Sequence, residues 1–211
     1  MNRKLTTWRK NRKLGDVAGG RKWPKIEDWI INREHPLRPP VAGDNLPLLI
    51  EENPSRDFFF PVTAQEMLAC LKKFPKSDTH GITHLWFKRL KKKALLNFRR
   101  PLAEYIAGSG VYVIVLYPWP KDMLLRFGPH RPSTKILRSY ARWTTELIHQ
   151  DGGWFLRWDS EPLRDFYLNG LLGHEIGHHQ DPKLLSKANA RHREETAEQY
   201  ALQWIALTSK W

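Results

Sequence analysis

The C-terminal part of the chain has the clearest alternation of apolar and polar positions. A first stripe follows the helical period of about 3.6 residues: Leu163, Phe166, Tyr167, Leu171 and Leu172. Asp181-Pro182 ends this predicted helix, because proline cannot continue it. A second stripe predicts another helix from about Ser186 to Thr208: Ala197, Tyr200, Ala201, Trp204, Ile205 and Leu207.

The upstream pattern predicts a shorter helix and several strands. Thr63 can cap a helix running from Ala64 to about Phe74, and Asp159 or Ser160 can cap the helix before the motif region. Residues 81–90 indicate a strand, and residues 110–117 are apolar on both faces, as is typical of a central strand. A hairpin is expected with arms at 142–150 and 154–158, and residues 121–135 are expected to be loop. This order of elements predicts an α+β fold.

The first C-terminal helix contains the pattern His-Glu-x-x-His at His174, Glu175 and His178. The two histidines lie one turn apart on the same face, so both imidazoles can bind one zinc ion at about 2.0–2.1 Å. Glu175 lies about 100° round the helix, close enough to hydrogen-bond a water on the metal. Zinc lowers the pKa of such a water to about 7, and a neighbouring carboxylate can accept its proton. The pattern therefore predicts a zinc site that activates water.

A catalytic zinc usually has three protein ligands and one open position. In the second helix, Glu194 and Glu198 lie along the apolar stripe, where a carboxylate is costly unless something pairs with it. A zinc ion with two histidine ligands would satisfy such a carboxylate. The alternative third ligands in this region are Glu195, His192 and His179.

Small residues indicate how these two helices meet. Gly173 and Gly177 keep one side of the first helix slim, and Ala197 and Ala201 do the same for the second. The two backbones are therefore expected to pack closely, which would bring the acidic residues of the second helix to the histidine pair.

The His-Glu-x-x-His motif is followed by Glu-x-x-Ala-Glu-x-Tyr-Ala at 194–201, and the combination resembles the zincin metallopeptidases of the gluzincin branch. The resemblance covers roughly residues 160–205. It implies a zincin-like α+β domain with a small mixed sheet, a metal-binding helix and a following packed helix. It also implies zinc-dependent hydrolysis of a peptide bond, with a protein or peptide as substrate.

The same resemblance implies a role for each matching residue. His174, His178 and Glu194 would be the zinc ligands, and Glu175 would be the general base. Glu198 would hold the free ring nitrogen of His174, which orients a metal-binding imidazole. The family more often has aspartate at that position, and the sixteen-residue step from His178 to Glu194 is short for the branch.

Charge adds a second functional hypothesis. The 211 residues carry a formal net charge of +13, and clusters such as Arg9–Lys13 lie in the first 54 residues. The predicted organisation is a basic, partly extended arm over 1–54 and a zincin-like domain over 55–211. Such an arm would bind nucleic acid through phosphates, or an acidic protein partner. The alternative function is therefore a nucleic-acid-associated basic protein whose zinc site is structural or idle.

Membrane insertion and disulfide bonding are not expected. No apolar run reaches the length of a membrane span, and the basic N-terminus has no apolar segment behind it. The single cysteine, Cys70, excludes a disulfide within the chain and is typical of a reducing compartment. These features predict a cytoplasmic protein without a membrane partner.

Overall fold

The structure, a computed structural model, describes residues 37–91, 93, 100–108, 110–181 and 190–208. Its elements form the mixed α+β arrangement that the sequence predicts. The first 36 residues of the predicted arm, and the predicted start of the last helix at 186–189, lie outside the described residues.

The strands belong to three sheets. In chain order they are β1 (Leu48–Glu51), β2 (Phe58–Phe59), β3 (His84–Phe87), β4 (Ala103–Gly108), β5 (Val111–Leu116), β6 (Trp119–Pro120), β7 (Leu124–Gly128), β8 (Leu147–Gln150) and β9 (Gly153–Arg157). The main sheet has the order β1-β3-β5-β4, in which β1, β3 and β5 are parallel and β4 is antiparallel to β5. A pair β2-β6 and a sheet β7-β9-β8 complete the set.

The main sheet confirms two predicted strands and adds two more. β5 is central and its residues from Val113 to Leu116 are fully buried, as their apolar character on both faces predicts. The predicted strand at 81–90 is confirmed but shorter, because only His84–Phe87 pair with β5. β4 was not predicted, and β1 comes from the segment 1–54 that the sequence indicated as an arm. In the strand order β1-β3-β5-β4, these two strands are the edges of the main sheet.

The sheet β7-β9-β8 confirms the predicted hairpin and corrects the prediction for residues 121–135. β8 and β9 pair across a turn in which Asp151 and Gly152 have positive φ angles of 50° and 71°. The prediction that residues 121–135 are loop is wrong, because β7 pairs with β9 and a helix begins at Thr134. The segment 124–128 becomes a strand because it pairs with β9, which is distant in the sequence. Its own short pattern of residues therefore gives little indication of a strand.

The helices are α1 (Ala64–Leu71), α2 (Lys76–Thr79), α3 (Thr134–Tyr140), α4 (Ser160–Asp165), α5 (Leu172–Gln180) and α6 (Ala190–Thr208). Thr63 caps α1 as predicted, in a capping box with Glu66. A π-helical turn, Phe166–Leu171, joins α4 to α5 without a break. Asp181 ends α5 in an extended conformation, as predicted. Within the described residues, no helix combines the length and apolar character needed to cross a membrane.

Helix α5 packs between the main sheet and α6. Its inward residues Leu172 and Ile176 are fully buried in the same core as Leu85 and Ile114 of the sheet. On its other side, a Cβ atom added to Gly177 would lie 2.7 Å from the Cα atom of Ala197, so the two backbones touch there. The predicted close packing of α5 and α6 is confirmed, and it positions the candidate site.

Candidate metal centre

The histidine pair lies on a part of α5 that is close to the core and lines a cavity. The π-helical turn before α5 contains one more residue per turn than an α-helix would, which rotates α5 relative to α4. Leu163 of α4 is fully buried, whereas His174 is only partly buried. A π-helical turn inside an α-helix often marks a functional site. The sequence pattern did not predict this turn, since its apolar spacing also fits a regular helix.

Three side chains from α5 and α6 converge at this place. The Nε2 atoms of His174 and His178 are 3.1 Å apart. Glu194 places Oε2 3.4 Å from the first of these atoms and Oε1 3.5 Å from the second. Ligands that surround a zinc ion tetrahedrally at about 2.0–2.1 Å lie roughly 3.3–3.4 Å from one another. The observed spacing therefore fits a zinc ion held by these three predicted ligands.

The surroundings of both histidines favour the neutral imidazole. Burial and the neighbouring His174 lower the pKa of His178 to about 4. Burial also lowers the pKa of His174, against the opposing effect of Glu194. Neutral imidazole is the form that binds zinc. The Nδ1 atom of His178 is buried and has no hydrogen-bond partner among the described residues, so its ring is oriented by packing.

Glu175, the predicted general base, is a buried carboxyl group that is only 3% exposed. Burial is the main cause that raises its pKa to about 8, and the charges of Glu194 and Glu104 act in the same direction. A hydrogen bond from the backbone N–H of Tyr105 opposes this shift. Such a carboxyl group is protonated at neutral pH unless a positive charge lies nearby, and a divalent cation at the histidine pair would provide that charge.

The Tyr105 N–H can reach Glu175 because β4 is an edge strand. The hydrogen bond from Tyr117 N–H to Leu102 O sets the pairing of β4 with β5. In that register, Ala103, Tyr105 and Ala107 point their backbone N–H and C=O groups away from β5. One of these outward groups is occupied by Glu175, and α5 therefore lies along this edge of the sheet.

Glu194 and Glu198 differ from the sequence prediction in their surroundings. The side chain of Glu194 is 66% exposed, so the expectation that it lies on the buried stripe is wrong. Glu198 lines the same cavity, and its charge raises the pKa of His174. The hydrogen bond predicted between Glu198 and His174 is not formed among the described residues. Glu198 therefore acts on His174 through charge in this arrangement.

Of the alternative third ligands, Glu195 and His179 are engaged elsewhere, and His192 does not belong to the cluster. Glu195 forms a salt bridge with Arg191 at 2.8 Å. His179 bonds through Nε2 to the carbonyl of His80 at 2.8 Å and through Nδ1 to the Tyr105 hydroxyl at 2.6 Å. Because a carbonyl only accepts, His179 donates from Nε2, and its Nδ1 accepts from Tyr105. Among the described residues, the one cluster that could hold a metal ion is His174, His178 and Glu194.

Tyr105 is a residue of the site that the sequence did not indicate. Its backbone contacts Glu175 and its hydroxyl contacts His179, so it fixes α5 to the sheet at two points. No motif or spacing in the sequence marks it, because its position depends on the unpredicted strand β4.

The cluster opens into a cavity of about 910 Å³. Its lining comes from the start of β4, from α3 and the turn after it, from the α5 region and from α6. The acidic lining residues are Glu104, Glu175, Glu194 and Glu198, and the basic ones are Arg100, Lys135, Arg138, Arg142 and Arg193. A cavity of this size accommodates several side chains of a bound chain or a small molecule.

Comparisons of the chain with known proteins return no relative. No family model matches it, and no match is found among curated proteins or solved structures. The candidate centre is therefore characterised by its own side chains and their geometry.

Proposed function

We propose that the protein is a zinc-dependent peptidase of the zincin type. His174, His178 and Glu194 would hold the zinc ion, and Glu175 would be the general base. The observation that carries the proposal is the convergence of three ligand atoms from two helices at 3.1–3.5 Å, beside a cavity and a buried carboxyl group. The order of these residues along the chain supports the same assignment, because a glutamate that adjoins the first histidine is placed for proton transfer and not for ligation.

The residues divide the chemistry between them. A zinc ion, when bound, supplies the Lewis acidity that activates a water molecule and polarises the peptide carbonyl. Glu175 accepts a proton from the attacking water and then delivers it to the leaving amine. A cation beside Glu175 favours its ionised form, so the pKa of about 8 in the metal-free protein becomes lower when zinc is present. Glu175 is then ionised, and able to accept the proton, at neutral pH.

The edge strand β4 supports a polypeptide substrate. Ala103 and Ala107 point their backbone groups away from β5, and Ala103 also lines the cavity. An extended peptide can add itself to such an edge as a further strand, using backbone hydrogen bonds that do not depend on its sequence. Because Glu175 occupies the Tyr105 N–H, this mode would lay the substrate backbone beside the start of β4, at Ala103.

The test compares the wild-type protein with the Glu175→Gln variant. We expect one zinc ion per chain in both proteins, measured by elemental analysis after dialysis. We expect hydrolysis of a mixed peptide library, measured by mass spectrometry, to fall about 100-fold or more in the variant because the proton acceptor is lost. The Glu195→Gln variant is the matched control, because Glu195 lies next to a ligand but bonds to Arg191. Equal hydrolysis by the Glu175→Gln protein, or a wild-type protein that retains no zinc, would overturn the proposal.

A second candidate function is that of a nucleic-acid-associated basic protein with a structural or idle zinc site. The observation that favours it is the net charge of +13, of which the first 54 residues contribute +4 from 11 Lys or Arg and 7 Asp or Glu side chains. Binding of this kind weakens steeply as salt is added, because counterions are released from the phosphates. The candidate is supported if the protein retains zinc, binds oligonucleotides with that salt dependence and hydrolyses no peptide.

A further inference from the structure

One side of the cavity is basic because of the way α3 faces it. Lys135, Arg138 and Arg142 are spaced three and four residues apart, which places them on one face of α3 and its continuing turn. All three line the cavity, together with Ser139 on the same face. Leu137, on another face of α3, packs against the hydrophobic core. We name the basic residues Lys135, Arg138 and Arg142 the α3 basic face.

Two of the three cations of this face, Lys135 and Arg138, are available to a ligand. Lys135 and Arg138 are exposed, and neither forms a salt bridge within the described part of the chain. Lys135 lies close enough to Glu195 to lower the pKa of that carboxyl group, which Arg191 already binds. A cation that has no carboxylate partner in the protein can pair with one from a ligand.

Arg100 adds a further cation at the start of β4. Its guanidinium lies 5.8 Å from the ring of Phe58, and its Nη1 atom is buried without a hydrogen-bond partner among the described residues. Burial is the main cause that lowers the pKa of Arg100, and no carboxylate of the described residues is among the groups that shift it. A buried guanidinium nitrogen without an acceptor is costly, so an acceptor from a ligand would be favourable.

The acidic lining residues are concentrated at the metal centre. Glu194 contacts both histidines, and Glu175 is influenced by the charges of Glu194 and Glu104. Binding a divalent cation would offset two of these negative charges. The cavity has five basic and four acidic lining residues, so its net charge would then be clearly positive.

We propose that the α3 basic face and Arg100 select peptide substrates that carry aspartate or glutamate close to the bond that is cleaved. This inference rests on the proposed peptidase function. A peptide is favoured over nucleic acid because the cavity of about 910 Å³ has room for side chains and not for a duplex. The adjacent β4 edge also offers backbone groups at Ala103 that pair with a peptide backbone. The acidic side chains would lie against α3 while the backbone follows β4.

The first experiment measures binding to the zinc-loaded Glu175→Gln protein, which holds substrate without cleaving it. The probes are two fluorescent ten-residue peptides, an acidic one with three glutamates and a neutral one with glutamines at the same positions. Fluorescence anisotropy measures the binding of each peptide. We expect the acidic peptide to bind about tenfold more tightly, because two or three partly exposed ion pairs each contribute a few-fold. We expect the preference to disappear in the Lys135→Glu/Arg138→Glu double variant. Raising the salt concentration should shrink the preference in the parent protein.

The matched control is the double variant Lys72→Glu/Lys121→Glu, which changes the net charge equally at two exposed lysines outside the cavity. It should keep the preference for the acidic peptide. Equal binding of the two peptides to the parent protein would overturn the inference, as would equal loss in both double variants. Displacement of the acidic peptide by a single-stranded oligonucleotide, with the same sensitivity to the α3 substitutions, would assign this face to nucleic acid instead and also overturn it.

Hydrolysis by the wild-type protein separates the two proposals. Cleavage of both peptides at equal rates would retain the peptidase function and overturn the selectivity. Cleavage of neither peptide, nor of a mixed library, would overturn the peptidase function. Preferential cleavage of the acidic peptide, lost in Lys135→Glu/Arg138→Glu at unchanged zinc content, would support both.

Discussion

The two helices of the candidate metal centre hold the proposed ligands in different ways. On α5, the side chain of His178 is only 10% exposed, and the neighbouring Ile176 is fully buried in the core. On α6, the side chain of Glu194 is 66% exposed, although it contacts the same two imidazoles. The histidine pair is therefore held by the core, whereas the carboxylate depends on where α6 lies relative to α5.

The position of α6 is fixed by a few contacts along its length. Gly177 meets the backbone of Ala197, and the Tyr200 hydroxyl donates to Asp78 at 2.5 Å. Further along, Trp204 Nε1 donates to Asn169 Oδ1 at 3.2 Å. Because Glu194 lies one turn before Ala197, the contact at Gly177 sets the distance from Glu194 to the histidines. Helix packing, more than burial of the carboxylate, therefore brings Glu194 to the histidine pair.

Gly177→Ala is expected to have the largest combined effect on zinc affinity and stability, because it disrupts the contact between α5 and α6 directly. The added methyl group would lie 2.7 Å from the Cα atom of Ala197 and 3.0 Å from its carbonyl oxygen, and backbone cannot yield cheaply. We expect α6 to move away from α5, zinc affinity to fall about 10- to 100-fold, and the free energy of unfolding to fall by about 1–3 kcal/mol. Zinc titration and urea denaturation measure the two effects.

Gly173→Ala is the control for this substitution. Its added methyl group would lie 3.3 Å from the Cα atom of Ala201 and 3.5 Å from its Cβ atom, so only a small shift is needed. Alanine is also favoured over glycine in a helix by up to about 1 kcal/mol, which offsets part of the cost. If both variants lost zinc equally, the contact at Gly177 would not be what sets the distance to Glu194.

Removing one proposed ligand at a time should change the stability of the metal-free protein by different amounts on the two helices. His178→Ala should lower the free energy of unfolding by about 1–3 kcal/mol, because it opens a cavity at a buried position. Glu194→Ala should change it by no more than about 0.5 kcal/mol, because the side chain is largely exposed.

Both variants should bind zinc at least about tenfold more weakly than the wild type, since each loses a ligand. Urea denaturation with a chelator present, followed by zinc titration, measures the two properties separately. Equal destabilisation by the two substitutions would show that α5 and α6 hold their ligands in the same way.

The smallest effect is expected far from the centre, at Glu66 of α1. Bonds from the Thr63 backbone N–H and from Arg164 lower the pKa of Glu66 to about 2 from an ordinary value of 4.5. A carboxyl group whose pKa is lowered in the folded state stabilises the fold at pH values above its pKa in the unfolded chain. This stabilisation is lost as the pH falls from 4.5 toward 2. Glu66→Gln should therefore cost about 1 kcal/mol or less at neutral pH, because both partners are partly exposed to solvent.

Urea denaturation at several pH values checks this prediction. The difference between Glu66→Gln and the wild type should shrink steadily as the solution is acidified below pH 4.5. Zinc affinity should not change, because α1 does not line the cavity. A difference that grows on acidification would contradict the sign of the effect.

Local patterns in the sequence were sufficient for the elements that surround the centre. The helical stripe, the helix end at Asp181 and the small residues at 173, 177, 197 and 201 predicted α5, its end and its packing against α6. The helix cap at Thr63 and the apolar run of β5 were predicted for the same reason. In each case the signal lies within a few residues, where periodicity and capping act.

Other features depended on partners that are distant in the sequence. β4 and β7 become strands by pairing with β5 and β9, so the segment 121–135 was predicted wrongly as loop. The exposure of Glu194 and the absence of the predicted bond from Glu198 depend on the distance between α5 and α6, which no local pattern encodes. Tyr105 and the α3 basic face came to the cavity in the same way.

The sequence by itself therefore determined which groups could bind a metal ion and on which helix face they lie, because helical spacing is a local property. Only the tertiary structure decided that His174, His178 and Glu194 meet, that β4 is the edge beside Glu175, and that basic side chains line the same cavity. The physical reason is that these relations are set by packing between segments far apart in the chain, where a shift of one ångström decides whether side chains touch.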